Sequence, residues 1–343
     1  MISFESDYNN GAHEKVLQRL IDTNATRTIT YGGDEFCESA REKIKLACQT
    51  PEANVFFLAG GTQTNATVID SMLHTYEGVI AVSSAHINTH EAGAVEFTEH
   101  KIINIREHEY GKMAAEDLEK YLFDFMHDGN NAHCAYPGMV YITFPSEYGA
   151  LYTAAELDSI YRICQHYHLP LYVDGARLGY ALASPACDFD LPFLAHHCDV
   201  FYIGGTKVGA LCGEAVVFTH NNAHPHFFSI QKQHGALLAK GRVLGVQFDA
   251  LFTDNLYFDI AQNAITTAMQ MRQIFLDKGY GLYVESPTNQ QFPVMHNSEV
   301  ERLEADILFT RWAQTDDEHT VCRFVTSWAT TQQDIDTLRN IVG

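Results

Sequence analysis

The chain has 343 residues, which suggests a large domain with a smaller one rather than a single ordinary core. Its hydrophobic content of 46% excludes a disordered chain, and its net charge of −21, from 43 acidic and 22 basic residues, argues against nucleic acids and anionic membranes as partners. Because no apolar run reaches the ~18–20 residues of a membrane helix and no secretory signal is visible, we expect a cytoplasmic protein.

Apolar runs typical of strands alternate with amphipathic segments typical of helices over most of the chain. Thr153 and Glu156 form a capping box that opens one helix, and apolar residues at helical spacing fill 115–125. Short apolar strands separated by helices indicate an α/β fold with a mostly parallel sheet covered on both sides. The predicted strands are Val55–Leu58, Val79–Val82, Lys101–Ile105, Met139–Thr143, Leu171–Val173, Val200–Ile203 and Ala215–Phe218.

One glycine-containing turn follows the first predicted strand and precedes a helix predicted over Ala66–His74. Its sequence is LAGGTQTN, from Leu58 to Asn65. Glycines there let backbone N–H groups approach an anion, and a helix N-terminus adds partial positive charge. The turn is either a phosphate cradle or an ordinary connection. GxxxxGK[ST] and GxGxxG are both absent, which argues against ATP, GTP and dinucleotides as ligands.

His86 lies just after the next strand, where an imidazole could stack on a cofactor ring. It could equally be an ordinary loop histidine, since the chain has 18 histidines. No HExxH motif or CxxC pair is present, so we expect no metal site. The eight scattered cysteines are expected to be reduced thiols.

Two later strands each end at a polar residue beside glycine. Asp174 lies at the end of the strand in LYVDGAR, and Lys207 follows the strand in FYIGGTKVG. Ligands of parallel sheets bind outside the carboxyl ends of the strands, so the two side chains should face the same site. Pyridoxal phosphate requires this pair: a carboxylate that keeps the pyridine nitrogen protonated and an amine that forms the Schiff base.

Two arginines occur in otherwise apolar surroundings. Arg177 follows Asp174 by three residues, and Arg323 lies in a late strand. A buried guanidinium needs an anionic partner. That partner is either a substrate carboxylate held by a bidentate clamp or an acidic residue of the chain itself.

Beyond Gly241 the pattern changes, and a smaller α+β domain is expected. Residues 246–278 are predicted to form a long helical region. We divide the chain into a large cofactor domain with the N-terminal segment, residues 1–247, and a small C-terminal domain, residues 248–343. The remaining predicted elements are strands at Tyr283–Glu285, Asp306–Phe309 and Thr320–Thr326 and a closing helix at Asp334–Val342.

Taken together and in this order, the motifs resemble the threonine aldolase branch, of low-specificity L-threonine aldolase type, of the fold-type I pyridoxal-phosphate enzymes. The resemblance implies a transferase-like α/β fold with a small C-terminal domain, and homodimers or homotetramers with shared active sites. The matching stretches are Ser6-Asp7-Tyr8, TYGGDEF (30–36), GGTQTN (60–65), AHINTHEAGA (85–94), VDGARL (173–178), IGGTKVGALCGEAVV (203–217) and RFVTSWATT (323–331).

The resemblance also assigns roles to individual positions. Lys207 would be the Schiff-base lysine, Asp174 the pyridinium partner, and His86 the residue stacked on the ring. The phosphate would bind to Gly61, Thr62 and Gln63. The substrate carboxylate would bind to Ser6, Arg177 and Arg323, with Arg177 also close to the cofactor. A neighbouring subunit would contribute Tyr31, Lys240 and Arg242.

The chain departs from the family pattern after the strand that precedes VDGAR. The segment Phe144–Gly149 carries Glu147 roughly where family members have a histidine. This indicates a divergent subgroup and leaves the catalytic base open. The candidates are His86, Glu147 or a water between them.

The expected reaction is cleavage of the Cα–Cβ bond of a β-hydroxy-α-amino acid such as L-threonine or L-allo-threonine, giving glycine and an aldehyde. The alternatives are a β-eliminating lyase or aminotransferase with the same cofactor, a catalytically inactive assembly subunit, and a zinc-dependent enzyme.

Overall fold

The computed structural model describes residues 2–343, which form 14 strands and 14 α-helices. The strands are β1 (Ile2–Ser3), β2 (Asn54–Leu58), β3 (Glu77–Val82), β4 (Lys101–Ile105), β5 (Tyr136–Thr143), β6 (Leu171–Asp174), β7 (Val200–Gly204), β8 (Glu214–Phe218), β9 (Gly281–Leu282), β10 (Gln290–Gln291), β11 (Pro293–His296), β12 (Ile307–Leu308), β13 (Thr310–Gln314) and β14 (His319–Val325). The helices are α1 (Glu14–Thr23), α2 (Glu35–Cys48), α3 (Gly61–Met72), α4 (His86–Thr89), α5 (Ala94–Phe97), α6 (Ala115–His127), α7 (Ala154–His166), α8 (Leu178–Ala183), α9 (Leu191–His196), α10 (Phe227–Gln233), α11 (Arg242–Leu251), α12 (Leu256–Asp277), α13 (Asn297–Leu303) and α14 (Gln332–Val342).

Seven strands form the central sheet, in the order β2-β8-β7-β6-β5-β3-β4. All seven predicted strands are confirmed within a few residues. Only β8 runs against the others, so the sheet is mostly parallel as predicted. β6, β7 and β8 are buried along their whole length, because helices cover both faces of a parallel sheet. The carboxyl ends of β5, β6 and β7 therefore lie side by side at one edge.

Helix α3 begins five residues earlier than predicted. The prediction placed the GGTQTN turn before the helix, whereas the helix already begins at Gly61. The N–H of Thr64 donates to the carbonyl of Gly60 at 3.0 Å, and the Thr64 hydroxyl donates to the same carbonyl at 2.9 Å. The turn is thus the first turn of the helix, and its free N–H groups point away from the helix body.

The long helical region predicted over 246–278 is two helices, α11 and α12. The break falls at Asp254 and Asn255, whose φ angles of 50° and 62° lie in the left-handed region that Asp and Asn tolerate better than most residues. The strand predicted at Tyr283–Glu285 is wrong, since β9 ends at Leu282. Strands β1, β10, β11 and β13 were not predicted, because strands of two to five residues carry little periodicity.

Two large hydrophobic cores lie along the chain, with a third, small cluster formed by Val284, Phe292 and Val321. One gathers residues between Ala12 and Ile265 around the central sheet, and the other gathers residues between Met271 and Val342 together with Phe4. Helix α12 contributes to both cores, and β1 pairs in parallel with β12. The division of the chain at residues 247 and 248 stays a prediction. Among residues 2–343 we find no helix of the length and apolarity that crossing a membrane requires.

Candidate active site

A cleft of about 620 Å³ opens at the edge where β5, β6 and β7 end. Five residues singled out from the sequence line it: His86, Glu147, Arg177, Lys207 and Arg323. They come from stretches more than 230 residues apart in the chain. The fold therefore brings together the predicted lysine, the stacking histidine, the candidate base and both arginines.

Asp174 is the last residue of β6 and is buried beside this cleft. Its Oδ2 accepts hydrogen bonds from Tyr141 Oη at 2.6 Å and from Asn65 Nδ2 at 2.9 Å. Burial raises the pKa of Asp174, but the nearby charge of His86 and hydrogen bonds from Tyr141, Tyr202 and Asn65 together bring that pKa below its ordinary value. Asp174 is therefore a stable buried carboxylate, as a partner of a pyridinium must be.

Glu91 ties His86 to this network, a role that the sequence reasoning missed. Glu91 Oε1 lies 2.7 Å from His86 Nδ1 and accepts from Asn65 Nδ2 at 2.7 Å. Tyr172 in turn donates to Asn65 Oδ1 at 2.7 Å. Since a carboxylate only accepts, the Nδ1 of His86 carries a proton, and its Nε2 has no hydrogen-bond partner among residues 2–343. Ligand atoms of His86, Glu91 and Asp174 lie within 4.8 Å of one another, a spacing that these hydrogen bonds explain.

Burial lowers the pKa of His86, yet the hydrogen bond to Glu91 and the charges of Glu147 and Asp174 bring that pKa above its ordinary value. The imidazole is thus protonated over a wider pH range than a free histidine.

Lys207 lies three residues beyond the end of β7 and is partly buried in the cleft. Burial and the neighbouring Arg177 lower the pKa of its amine, which favours the neutral, nucleophilic form. Its Nζ lies 6.0 Å from the centroid of the Tyr8 ring. Glu214, on β8, accepts from the N–H of Gly205 at 2.9 Å, and burial raises the pKa of this carboxyl to about 7.

The two arginines have different surroundings. Arg177 donates from Nε to Asp7 Oδ2 at 2.7 Å and from Nη2 to Asp7 Oδ1 at 3.1 Å, so it has an acidic partner within the chain. Arg323 donates only a long bond, 3.4 Å, to Thr310 Oγ1, and its buried Nε has no partner among residues 2–343. Its guanidinium lies 4.9 Å from the centroid of the Trp312 ring. Arg323 is therefore the guanidinium with donors free for an anion.

Ser6 and Glu147, also predicted from the sequence, differ in their hydrogen bonding. The Ser6 hydroxyl donates to Asn9 Oδ1, so its proton is engaged within the N-terminal segment. Glu147 is buried at the wall of the cleft, and its carboxylate accepts no hydrogen bond from the described part of the chain. A buried carboxylate without donors is available to accept a proton from a ligand.

The predicted phosphate site fits an anion. Gly61, Thr62 and Gln63 form the first turn of α3, and their backbone N–H groups have no carbonyl acceptor within residues 2–343. A Cβ added at Gly60 would meet no atom within 4 Å, so open space lies beside the turn. The Gln63 side chain bonds to Ala59 N and His234 O, which fixes the turn. Together with Asp174 and Lys207, these groups suit pyridoxal phosphate.

The three residues predicted to serve a neighbouring subunit lie outside the cleft of their own chain. The Nζ of Lys232 lies 4.7 Å from the centroid of the Tyr31 ring. Lys240 is exposed. Arg242 donates from Nη1 to the carbonyl of Thr26 at 2.6 Å and from Nη2 to that of Thr23.

Aromatic side chains that the sequence reasoning passed over form one wall of the cleft. The His90 ring lies parallel to His86 on one side, 5.7 Å between centroids, and to Trp312 on the other, 6.2 Å. Tyr148 meets Trp312 edge-on at 6.0 Å. Trp312 is one of only two tryptophans in the chain, which was the available signal in the sequence.

Comparisons with known proteins agree with this geometry. A model of the beta-eliminating lyase family matches residues 4–308. A threonine aldolase structure from Leishmania major is 35% identical, with a TM-score of 0.94 over 100% of both chains. A low specificity L-threonine aldolase from Pseudomonas aeruginosa is 28% identical over 88% of this chain and 86% of its own length. A histidinol-phosphate aminotransferase from Clostridium acetobutylicum, 11% identical, superposes with a TM-score of 0.75 over 100% of this chain and 98% of that one, which supports the predicted fold-type I architecture.

We predict that Glu91→Gln lowers the pKa of His86, because the variant loses the carboxylate that stabilises the imidazolium. The measurement is NMR titration of ring-labelled histidines, with His86 assigned by His86→Gln. A raised folded-state pKa stabilises the fold below the ordinary value of about 6.5 and stops doing so as pH rises through the raised pKa. An unchanged His86 midpoint in Glu91→Gln would contradict the assignment. Asp316→Asn, which alters the exposed pair with His319, serves as the control.

Proposed function

The chain belongs to the beta-eliminating lyase family and, within it, to the threonine aldolases, and on this basis we propose that it is a pyridoxal-phosphate-dependent aldolase. The reaction is cleavage of the Cα–Cβ bond of a β-hydroxy-α-amino acid of the L-threonine or L-allo-threonine type into glycine and an aldehyde. The observation that carries the proposal is the cleft itself. It combines a lysine of lowered pKa, a buried ionised Asp174 and an arginine with free donors.

The residues at the strand ends would hold the cofactor. Gly61, Thr62 and Gln63 would bind its phosphate through backbone N–H groups, Asp174 would keep the proton on its ring nitrogen, and Lys207 would bind its aldehyde carbon. When bound, pyridoxal phosphate acts as an electron sink for a bond broken at the α-carbon of an amino acid. His86, held at Nδ1 by Glu91, would present its ring face to the cofactor.

Arg323 would orient the substrate. Arg323 lines the cleft together with Glu147 and Trp312, and its Nε has no partner among residues 2–343. A guanidinium binds a carboxylate through two parallel N–H bonds, which fix direction as well as position. Holding the carboxylate in this way sets which bond at the α-carbon lines up for cleavage, and correct orientation supplies much of the rate gain in such reactions.

Glu147 is our candidate for the group that takes the proton of the β-hydroxyl. Of the candidates from the sequence, His86 has its Nδ1 engaged by Glu91 and its ring face assigned to the cofactor. Glu147 has no competing donor among the described residues and lines the same cleft. It stands where the family pattern has a histidine, so the same task would fall to a different acid–base group.

The proposal includes a homodimer or homotetramer in the cytoplasm. Tyr31 and Phe228 are exposed apolar side chains that contact each other away from the cleft, with ring centroids 6.4 Å apart, and Ile29 is 71% exposed nearby in sequence. Exposed aromatic and aliphatic groups of this kind are typical of subunit interfaces. Tyr31 and Lys240 would then reach the site of the neighbouring subunit. Arg242 would contribute less directly to that neighbouring site, because its guanidinium already donates to the carbonyls of Thr23 and Thr26.

We predict that the protein reconstituted with pyridoxal phosphate releases glycine and acetaldehyde from L-threonine or L-allo-threonine. Lys207→Ala should lose both turnover and covalent attachment of the cofactor after borohydride reduction, which mass spectrometry of the Lys207 peptide detects. 2-Oxobutanoate and ammonia as products would instead support the β-eliminating lyase. No turnover of any β-hydroxy amino acid by the cofactor-saturated wild type would support the inactive assembly subunit.

We predict that Glu147→Gln lowers kcat for threonine cleavage by ~10²–10⁴-fold, the usual contribution of a general base. Cofactor binding, followed by visible absorbance, should stay within a factor of three, because Glu147 is assigned no contact with the cofactor. Glu109→Gln, at an exposed position, is the matched control. Unchanged turnover in Glu147→Gln would remove this carboxylate from the role of base.

A further inference from the structure

Asp7 is a buried carboxylate to which the proposed reaction gives no role. It lies in the N-terminal segment, which starts as β1 beside β12 and then buries Phe4 in the second hydrophobic core. Four residues after β1, the chain reaches Asp7, whose side chain is fully buried. From there it contacts Arg177, which follows β6 in the first core.

Asp7 joins three separate stretches of the chain. Its two oxygens accept from Nε and Nη2 of Arg177, and Oδ2 also accepts from Asn289 Nδ2 at 2.9 Å. Asn289 lies next to β10, and the same amide nitrogen donates to the carbonyl of Thr326 at 2.8 Å, just past β14. Arg323 lies on β14, so Asp7 links the backbone region of one arginine to the guanidinium of the other.

The charges of the cleft require such a carboxylate. Arg177, Arg311 and Arg323 all line the cleft, and Glu304 pairs with Arg311. A substrate therefore brings one carboxylate for the two remaining guanidinium groups. Two buried like charges repel, and an unneutralised guanidinium is costly. Burial lowers the pKa of Arg323, and the proximity of Arg177 lowers it further. Asp7 neutralises Arg177 and leaves a single uncompensated guanidinium for the substrate.

We propose that Asp7 is a positioning residue for substrate recognition: by pairing with Arg177 it makes Arg323 the principal anchor of the substrate carboxylate. This rests on the proposed function and deepens it. It differs from the role expected from the sequence, in which both arginines bind the carboxylate alike. Arg177 keeps only its Nη1 side for a ligand, in an orientation that Asp7 fixes.

The test measures how tightly glycine and glycinamide bind to the holoenzyme. Binding is monitored through the change in visible absorbance. Asp7→Asn keeps the shape of the side chain but frees the second cation. Glycine should bind about three- to tenfold tighter, because the cleft gains a unit of positive charge, while glycinamide, which lacks the carboxylate, should not change by more than about twofold. The kcat for threonine should fall about ten- to a hundredfold, since Arg177 then competes for the carboxylate and misaligns it.

A second variant keeps the proposal testable if Asp7→Asn does not fold. The double variant Asp7→Asn/Arg177→Gln replaces the ion pair by a neutral pair of similar shape. Because the pair is neutral in the wild type, the glycine-to-glycinamide affinity ratio of the double variant should stay within about threefold of wild type. A tenfold loss of glycine affinity in the double variant would overturn the proposal, since it would make Arg177 an anchor in its own right.

Control variants distinguish a failure of the role assigned to Asp7 from a failure of the proposed aldolase function. Asp249→Asn removes a similar buried carboxylate, bonded to Nε and Nη2 of Arg19 away from the cleft, and should leave the affinity ratio unchanged. Arg323→Gln should weaken glycine at least tenfold and spare glycinamide. Equal changes for both ligands in Asp7→Asn, with an active wild type, would contradict only the role of Asp7. A wild type that releases no glycine from threonine would contradict the proposed function itself.

Discussion

One buried carboxylate that stays ionised, Asp174, determines how the carboxyl edge of the central sheet is built. Removing such a group from water is costly, so the fold must supply donors. Asn65 supplies one from α3, Tyr141 another from β5, and Tyr202 a third from β7. The helix that carries the predicted phosphate turn and the strands on both sides of β6 are thus held together by one charge.

A second constraint is the balance of charge inside the cleft. The chain is strongly acidic, yet its cleft gathers Lys207, Arg177 and Arg323 within a small volume. Asp7 and Glu147 offset part of this positive charge at different places. Because Asp7 is saturated by Arg177 and Asn289 whereas Glu147 accepts no bond among residues 2–343, the first suits a fixed structural charge and the second suits proton transfer. The hydrogen-bond partners therefore indicate different roles for Asp7 and Glu147, which the sequence alone does not distinguish.

The sequence predicted the elements whose signal is local. The seven sheet strands follow from apolar runs, and the capping box of α7 follows from the spacing of Thr153 and Glu156. The positions of Asp174 and Lys207 follow from two strands that end beside glycine. The start of α3 and the break at Asn255 were not predicted, because neither leaves a periodic signal. The first is set by local bonds from Thr64 to the Gly60 carbonyl, and the second by left-handed backbone at Asp254 and Asn255. The Asp7–Arg177 pair joins residues 170 positions apart, so the two possible partners of Arg177 could be distinguished only once the chain was folded.

The affinity of the apoprotein for pyridoxal phosphate, compared between wild type and Asp174→Asn, tests the central claim most directly. If the strand-end carboxylate holds the proton on the pyridine nitrogen, the variant should bind the cofactor at least tenfold more weakly and with an altered visible spectrum. Asp199→Asn, which changes a carboxylate at the amino end of β7 that bonds to Leu171 N, should bind it normally. Equal affinity and an identical spectrum in Asp174→Asn would contradict the account.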